Sequence, residues 1–303
     1  MDILCAGLVA CDILAKPVRP DALSVDSSRL ERLEPRPGGD ALNVACSLAR
    51  LGMDVALAGS VGRDVMGDFL RAELRAAGVH DGLTVDEHLS TSTCLVLVEE
   101  CGERHFLYQG EANDAFSRAD IPSALLRQTR HLHIGSAMAL ASLDGAELAA
   151  LFREAKGLGV TTSLDVTSDN DGLWYEKIRD ALRFTDYFLP SMSEASAISG
   201  QTELPGIEAF FRAAGVGVLT VKLGERGAFA TDFTRRATVP AKAGVEVVDT
   251  TGAGDAFVAG FLSGVFAGLD LFDCVERGNR MGALAVTVLG AQPGSIPEDV
   301  FDK

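Results

Sequence analysis

The hydrophobic and polar positions of this 303-residue chain form continuous apolar runs separated by amphipathic stretches. Residues 2–10 are an apolar run that ends at Cys11 and Asp12, which predicts a buried parallel strand with an acid at its carboxyl end. From about residue 130, strand-like runs and helix-like segments alternate. The predicted strands cover residues 131–134, 160–164 and 186–189, and the predicted helices cover residues 144–156 and 174–184. This alternation indicates an α/β protein.

Other segments predict smaller elements. Residues 13–37 hold prolines at positions 17, 20, 35 and 37, which favours short strands and loops over a helix. Residues 91–98 and 104–108 are rich in β-formers and flank the turn-like residues 100–103, so we predict a hairpin. The pattern further predicts strands at 54–60 and 216–223 and helices at 65–77 and 271–289.

A first candidate motif is GGDALNVA at residues 38–45, where a helix is predicted through about Leu51. Asp40 and Asn43 are three residues apart and share a helix face. A short acid and a short amide suit a polyol, because each makes directed hydrogen bonds with hydroxyls. An N-cap followed by a core helix is the alternative. Asp12, at a predicted strand end, is either a substrate contact or a turn residue.

The second motif is DTTGAGD at residues 249–255, followed by an apolar helical run through residue 262. Gly252 and Gly254 let the backbone turn tightly and present its N–H groups. If a helix begins near Gly254, its free N–H groups and its dipole form a site for an anion, such as a phosphate. Asp255 beside that anion suits the removal of a proton from an attacking hydroxyl. The alternative is an ordinary helix start with a first-turn acid.

Together the two motifs resemble the N-terminal and C-terminal signatures of the ribokinase-like (PfkB) carbohydrate kinases. The first matches as Gly-Gly-x-x-x-Asn followed by glycines at 52, 59 and 67, and the second matches over residues 249–262. The resemblance covers essentially the whole chain. It implies a single domain of residues 1–303 with a doubly wound ribokinase-like α/β sandwich. A small β-sheet lid would come from segments at about 13–37 and 91–110.

The resemblance also implies roles for particular residues. Asp255 would be the catalytic base, and the backbone of Gly252, Ala253 and Gly254 would form the anion hole. The residues expected to bind the acceptor are Asp12, Gly38, Gly39, Asp40 and Asn43. Asp165 ends a second apolar strand and is a further candidate at the same sheet edge, without an assigned role.

For the nucleotide and Mg²⁺, residues 190–194 (PSMSE) occupy the place of the family's Asn-x-x-Glu motif. Glu194 matches and would hold Mg²⁺ through water. Ser191 replaces the usual Asn, which changes the expected hydrogen bonding to phosphate, and it could instead cap the following helix. Lys222 is either a phosphate contact or a solvated charge at a strand end. The other expected nucleotide contacts are Gly224, Gly227 and Asn279.

In cation-dependent members of the family, the C-terminal loop and an acid–threonine pair bind a monovalent cation, usually K⁺. The matching residues here are Asp249, Thr251, Gly290 and Ser295. The pair Gly294 and Ser295 displaces the expected serine ligand by one position. A bound K⁺ would help to organise the anion hole.

Composition restricts the choice of partners and compartment. The net charge is −16, from 43 acidic and 27 basic residues, which argues against nucleic acid and anionic membranes as partners. Six cysteines lack Cys-x-x-Cys spacing and suit a reducing cytosol. The N-terminus has no basic leader and no apolar run is long enough to span a membrane, so we expect a cytoplasmic protein.

Two further patterns do not predict metal sites. His131 and His133 share a strand face but lack a third ligand nearby, and residues 169–172 (DNDG) indicate a turn.

The expected function is transfer of the γ-phosphoryl group of Mg·ATP to a primary hydroxyl of a small sugar, by a homodimer that pairs through the lid. The sugar is not specified, although Asp40 and the overall acidity disfavour a phosphorylated acceptor. The runner-up is a nucleoside kinase of the same family, and a catalytically silent sugar-binding protein is the other alternative. A dinucleotide oxidoreductase lacks support because no Gly-x-Gly-x-x-Gly follows the first strand, and the chain has no Walker-type Gly-Lys-Ser/Thr.

Overall fold

The computed structural model describes residues 1–101, 103–292 and 295–301. In chain order, the strands are β1 (Ile3–Gly7), β2 (Ala10–Lys16), β3 (Arg32–Gly38), β4 (Val55–Ala58), β5 (Ser60–Gly62), β6 (His80–Asp81), β7 (Thr84–Asp86), β8 (Thr93–Val98), β9 (Arg104–Gln109), β10 (His131–Ala137), β11 (Thr161–Val166), β12 (Tyr187–Phe188), β13 (Val218–Lys222), β14 (Ala228–Thr231) and β15 (Arg236–Val239). The α-helices are α1 (Asp40–Arg50), α2 (Val65–Ala76), α3 (Glu111–Ala115), α4 (Ser123–Gln128), α5 (Ala146–Gly157), α6 (Tyr175–Leu182), α7 (Met192–Ser199), α8 (Leu204–Ala214), α9 (Ala253–Phe266) and α10 (Leu271–Ala285).

The large sheet has the strand order β15-β14-β13-β12-β11-β10-β1-β4-β6. The strands from β13 to β6 run parallel, and β14 and β15 are antiparallel additions at one edge. Chain order reverses at β1, which lies between β4 and β10. Ligands of open α/β sheets bind at such a switch point, outside the carboxyl ends of the strands. Helix α1 begins there, since a Cβ placed on Gly135 of β10 would lie 2.8 Å from the backbone nitrogen of Ala41.

Helices cover both faces of this sheet. Alternate residues of β1 point to opposite sides and therefore pack against different helices. Leu4 and Ala6 join a buried cluster with side chains of α5, α6, α7 and α8. Ile3 and Cys5 join a second buried cluster with side chains of α1, α2, α9 and α10. The continuous apolar sequence of β1 therefore reflects burial on both faces. The predicted doubly wound α/β fold is confirmed.

A second, four-stranded sheet has the order β3-β2-β8-β9 and is called the small sheet below. Strand β2 pairs antiparallel with β3 and parallel with β8, and β8 and β9 form the predicted hairpin. The prediction of one strand over residues 2–10 is wrong. The chain leaves the large sheet at Gly7, a glycine with φ of +139°, and re-enters β-structure at Ala10. Asp12 consequently lies inside β2 rather than at the end of β1.

Several local predictions agree with the structure. Helix α2 follows Asp64, whose carboxylate accepts hydrogen bonds from the N–H groups of Met66 and Gly67. His131 is a buried strand residue that contacts the hydroxyl groups of Thr161 and Ser163 at 2.7 Å, so it is a hydrogen-bonded strand residue as expected. Helices α3, α4 and α8 are additional to the predicted elements. Over the described ranges, no helix combines the length and the apolar character needed to cross a bilayer.

Candidate active site

Acidic side chains gather around one lysine at the carboxyl edge of the large sheet. Lys222 ends β13, and its Nζ lies 2.6 Å from Oδ2 of Asp165 in β11. Asp40 opens α1 and accepts a hydrogen bond from the hydroxyl of Ser136, near the end of β10. Asp255 lies in the first turn of α9 and is 8% exposed. The sheet-edge rule therefore placed Asp165 correctly, and it would also have pointed to Ser136.

A chain of hydrogen bonds orients Asp255. The Nδ2 of Asn43 donates to Oδ2 of Asp255 at 2.9 Å. The other end of that amide, Oδ1, accepts from Nε2 of Gln292 at 2.9 Å, and Oε1 of Gln292 accepts from Nη1 of Arg50 at 2.9 Å. Both ends of the Asn43 side chain are thus engaged by protein groups. Asn43 positions the acid directly, and the sequence motif did not indicate the contribution of Gln292.

The amino end of α9 has a glycine in the N-cap position. Gly252 is the N-cap residue with φ of +72°, and a Cβ there would overlap the carbonyl oxygen of Ala291. No side chain of the described residues caps this end. A Cβ placed on Gly254 would lie 3.3 Å from Nζ of Lys222. First-turn N–H groups and an ammonium therefore converge on one point, which is favourable for an anion. The side chain of Lys222 is 15% exposed and paired with Asp165, so it is not the solvated charge of the alternative interpretation.

Burial and mutual repulsion set the charge states of the cluster. Burial raises the pKa of Asp255 well above its usual value, and the nearby Asp40 raises it further. Burial likewise raises the pKa of Asp40, although the Ser136 hydroxyl opposes this. Burial raises the pKa of Asp165 to about 7 against the effect of Lys222. Burial alone would lower the pKa of Lys222, but Asp165 and Glu194 raise it, so the lysine stays charged. The cluster holds more carboxyl groups than ammonium groups, and an added cation would favour their ionised forms.

Asp12 faces the site from the small sheet. A Cβ on Gly38 would overlap the Asp12 carboxylate, so glycine at this position leaves room for that side chain. Burial raises the pKa of Asp12 to about 7, and Asp40 adds to this. Gly39 is the N-cap residue of α1 and has φ of +94°. These placements bring the predicted acceptor residues of both segments to one cleft.

Two aromatic residues of β9 share the face of the small sheet that carries Asp12. Asp12 aligns with Cys94, and Cys94 aligns with Tyr108, so the three occupy one rung. Phe106 lies two residues from Tyr108 and therefore points the same way. Phe106 is 55% exposed and Tyr108 is 47% exposed. Their sequence did not mark them as site residues, because the pairing of β8 with β9 decides which face they occupy.

A cavity of about 650 Å³ lies beside the amino end of α9. Its lining includes the four predicted nucleotide contacts, namely Lys222, Gly224, Gly227 and Asn279, together with Thr250 and Gly254. The Nδ2 of Asn279 donates to the carbonyl oxygens of Val239 and Pro240 at 3.0 and 3.1 Å. Asn279 therefore holds the chain at the end of β15, directly before Ala241, which lines the cavity. The volume is within the range of small-molecule sites.

The Ser191–Glu194 segment forms a capping box at the start of α7. The Ser191 hydroxyl accepts from the N–H of Glu194 at 3.3 Å, and Oε2 of Glu194 accepts from the N–H of Ser191 at 2.7 Å. Ser191 therefore caps α7, as the alternative interpretation of this residue expected. One carboxylate oxygen of Glu194 is engaged in the cap.

The predicted monovalent-cation residues contact an arginine. Nη1 of Arg104, the first residue of β9, donates to Oδ1 of Asp249 and to Oγ1 of Thr251. Asp249 also accepts from the N–H of Gly290 at 2.9 Å. Ser295 is exposed, and Gly294 lies outside the described residues. Neither Arg104 nor its role was anticipated from the sequence.

The start of α9 has no side-chain cap, and a lysine, a carboxylate and a cavity lie beside it. On a doubly wound sheet, this arrangement is typical of enzymes that transfer phosphoryl groups. A family model described as pfkB family carbohydrate kinase matches residues 2–299. The ATP-dependent ribose-1-phosphate kinase of Halopiger xanaduensis is 33% identical, covering 98% of this chain and 96% of that protein. A fructokinase of Escherichia coli is 34% identical, covering 86% of this chain and 89% of that protein.

Solved structures agree with these relatives. A protein from Escherichia coli assigned as ribokinase II, solved with ATP and Mg²⁺, has a TM-score of 0.85 at 26% identity and covers 97% of this chain and 96% of its own. A fructokinase double mutant of Vibrio cholerae O395 was solved with fructose, ADP and potassium. It has a TM-score of 0.82 at 26% identity, and the match covers 99% of this chain and 96% of that protein. This chain belongs to the PfkB carbohydrate kinase family and is an ATP-dependent carbohydrate kinase.

Proposed function

We propose that this protein transfers the γ-phosphoryl group of Mg·ATP to a primary hydroxyl of a small sugar, with Asp255 as general base. The observation that carries the proposal is the position of Asp255. Asn43 fixes its carboxylate in the first turn of α9, and Lys222 lies against the same turn. A base and an anion site are therefore next to each other, as an in-line attack on phosphorus requires.

The surroundings of Asp255 support this chemistry. Burial, which raises its pKa, makes the ionised carboxylate a stronger base than an exposed aspartate. The acceptor hydroxyl would give its proton to Asp255 as its oxygen bonds to the γ-phosphorus, and ADP would leave. The N–H groups of residues 252–255 and the ammonium of Lys222 would stabilise charge on the transferring group. Because this transition state is loose, positioning and electrostatics should supply most of the rate.

The residues present fit a Mg²⁺ ion that arrives with ATP. Mg²⁺ prefers oxygen ligands, and Glu194 lies close enough to influence the pKa values of Asp40 and Asp165. Glu194 would hold the ion through water, although one of its oxygens caps α7. The ion would neutralise charge on the phosphates, and it would relieve the repulsion among the carboxylates of the cluster.

For the acceptor, the cleft favours an uncharged polyol. Asp12 and Asp40 face it and repel each other, and hydrogen bonds from sugar hydroxyls would satisfy both. Arg36 is the cross-strand neighbour of Asp12 and could attract an anionic sugar, but its Nη2 is already paired with Glu34 at 2.7 Å. The ribose-1-phosphate kinase among the relatives makes a phosphorylated sugar a necessary arm of any substrate test.

A nucleoside acceptor is the second candidate. The observation in its favour is the pair of exposed aromatic residues, Phe106 and Tyr108, on the face that carries Asp12. Aromatic walls can stack against a base, but they can also pack against the apolar face of a sugar. The directed polar groups of the cleft support the sugar more strongly.

We also propose that two copies pair through the outer face of the small sheet. The strand registers place Leu33, Leu95 and Leu107 on the face opposite to Asp12, and they are 65%, 40% and 51% exposed. Such an apolar face is costly to leave in water. The molar mass measured by light scattering should be twice that of the 31.9 kDa chain and should fall in Leu95→Glu.

The decisive experiment measures ADP release from Mg·ATP with uncharged, acidic and phosphorylated sugars and with nucleosides. We expect turnover with a sugar, and we expect it to fall about a thousandfold in Asp255→Asn, the range for loss of a general base. Turnover with nucleosides alone would replace the proposal by its second candidate. Sugar binding without turnover would identify a silent binding protein, and unchanged turnover in Asp255→Asn would exclude Asp255 as the base.

A further inference from the structure

The guanidinium of Arg104 reaches from the small sheet to the loop that leads into α9. It donates to Oδ1 of Asp249 and to the hydroxyl oxygens of Thr250 and Thr251. The side chain of Arg104 is 23% exposed, and that of Asp249 is 6% exposed. A single arginine thus joins three consecutive residues that immediately precede the anion hole.

The Asp249 carboxylate already accepts four hydrogen bonds from the protein. Oδ1 accepts from the N–H of Thr251 at 2.9 Å and from its hydroxyl at 2.8 Å, in addition to Arg104. Oδ2 accepts from the N–H of Gly290 at 2.9 Å. Burial opposes ionisation of this group, but the Thr251 and Gly290 N–H groups and Arg104 hold the pKa of Asp249 below its usual value.

A potassium ion does not fit this arrangement. It would need the oxygens of Asp249 and Thr251 as ligands. Nη1 of Arg104 already donates hydrogen bonds to Oδ1 of Asp249 and to Oγ1 of Thr251. A second positive charge within contact distance of an arginine would also be repelled. Gly290, another predicted ligand residue, donates its N–H to Oδ2 of Asp249 at 2.9 Å and so helps to hold that carboxylate beside Arg104.

We propose that Arg104 replaces the monovalent cation in this protein, so that its activity does not depend on K⁺. This inference rests on the proposed kinase function. An arginine stays protonated throughout the physiological pH range, and its planar fork can hold several oxygens at once. It therefore neutralises Asp249 and orders the residues that precede the anion hole. Because Arg104 belongs to β9, the same contact fixes the small sheet to the phosphate-binding loop.

The test compares wild type, Arg104→Ala and Arg32→Ala in buffers of equal ionic strength containing KCl, NaCl or tetramethylammonium chloride. Arg32 is a matched control, because it is an exposed arginine of the small sheet whose ion-pair contact is with Glu34 at 3.8 Å. We expect wild type and Arg32→Ala to keep the same turnover in all three salts. Arg104→Ala should lose about tenfold or more in tetramethylammonium chloride, as for groups that orient a charged site. KCl should restore most of that loss.

A second readout does not depend on turnover. KCl relative to tetramethylammonium chloride should raise the melting temperature of Arg104→Ala by about 1–3 °C, because an ion that binds only the folded state stabilises it. Wild type should show no such shift. Activation of wild type by KCl, or full turnover of Arg104→Ala in tetramethylammonium chloride, would overturn the inference. Absence of turnover in every salt would count against the kinase function, and the melting temperatures would still decide the question of the cation.

Discussion

Among the helices that begin beside an aspartate, α2 and α9 differ in what surrounds that carboxyl group. At the start of α2, the carboxylate of Asp64 is the N-cap and accepts from the N–H groups of Met66, Gly67 and Thr91. Partial burial raises the pKa of Asp64, but these hydrogen bonds lower it below its usual value. At the start of α9, the cap is Gly252, and Asp255 stands in the first turn with a raised pKa.

The difference shows how the same residue type caps a helix in one place and, in the proposed mechanism, acts as the base in another. Asp64 satisfies the free N–H groups of its helix, which stabilises the fold and leaves nothing for a ligand. Gly252 leaves the N–H groups of α9 available, and Asp255 is buried near Asp40 instead. In the proposed function, a bound phosphate would complete the start of α9, which would explain why a carboxylate with a raised pKa is retained there.

The largest expected effect is a loss of activity without a loss of stability at Asp255, and the reverse at Asp64. Asp255→Asn should lose about a thousandfold in kcat, as expected for a general base. Its melting temperature at pH 7.5 should be equal to or above that of wild type, because the substitution removes a carboxyl group whose ionised form is disfavoured by burial and by Asp40. Asp64→Ala should keep kcat within about twofold and lose about 1–2 kcal/mol of stability with its cap. Thermal unfolding and steady-state kinetics of both variants test this, and a destabilised Asp255→Asn would contradict it.

An intermediate effect is expected from the hydrogen bonds that support Asp255. In Gln292→Glu, the side chain can still accept from Arg50 but can no longer donate to Asn43. We expect kcat to fall by about tenfold, the usual scale for a residue that orients another. The Asn43 contact lowers the pKa of Asp255, so its loss should move the acidic limb of the kcat profile to higher pH. Gln201→Glu, in an exposed loop, is the control, and an unmoved pH profile in Gln292→Glu would show that Gln292 has only a packing role.

The smallest effect concerns stability and pH. Burial raises the pKa of Asp12 to about 7, whereas in an unfolded chain an aspartate has a pKa near ~3.9. Between these values the folded state binds more protons than the unfolded state, so the stability due to this group falls as pH rises. The melting temperature of Asp12→Asn should therefore rise relative to that of wild type between pH 5 and pH 8, to a difference of about 3 °C. Asp26→Asn, at an exposed loop position, should show no such trend, and a constant difference for Asp12→Asn would contradict the raised pKa.

Local patterns predicted much of the architecture and some of the site. The apolar β1, the capped α2 and the hairpin of β8 and β9 follow from periodicity and turn residues within a few positions. The same patterns misplaced Asp12, since an apolar run does not show where a chain leaves one buried sheet and enters another. Helix α8 has a proline in its first turn and Gly215 after its last residue, so it carried signals that were available but not used.

By itself, the sequence determined the doubly wound fold and predicted a helix start with two glycines and an acid at residues 249–255. Those features depend on short-range chemistry: glycine conformation, helix-end N–H groups and hydrophobic period. Only the tertiary structure decided that Gln292 orients Asn43 and that Arg104 lies on Asp249 and Thr251. These partners are more than 140 residues apart in the chain. Strand register and helix packing, which no local pattern encodes, bring their side chains into contact.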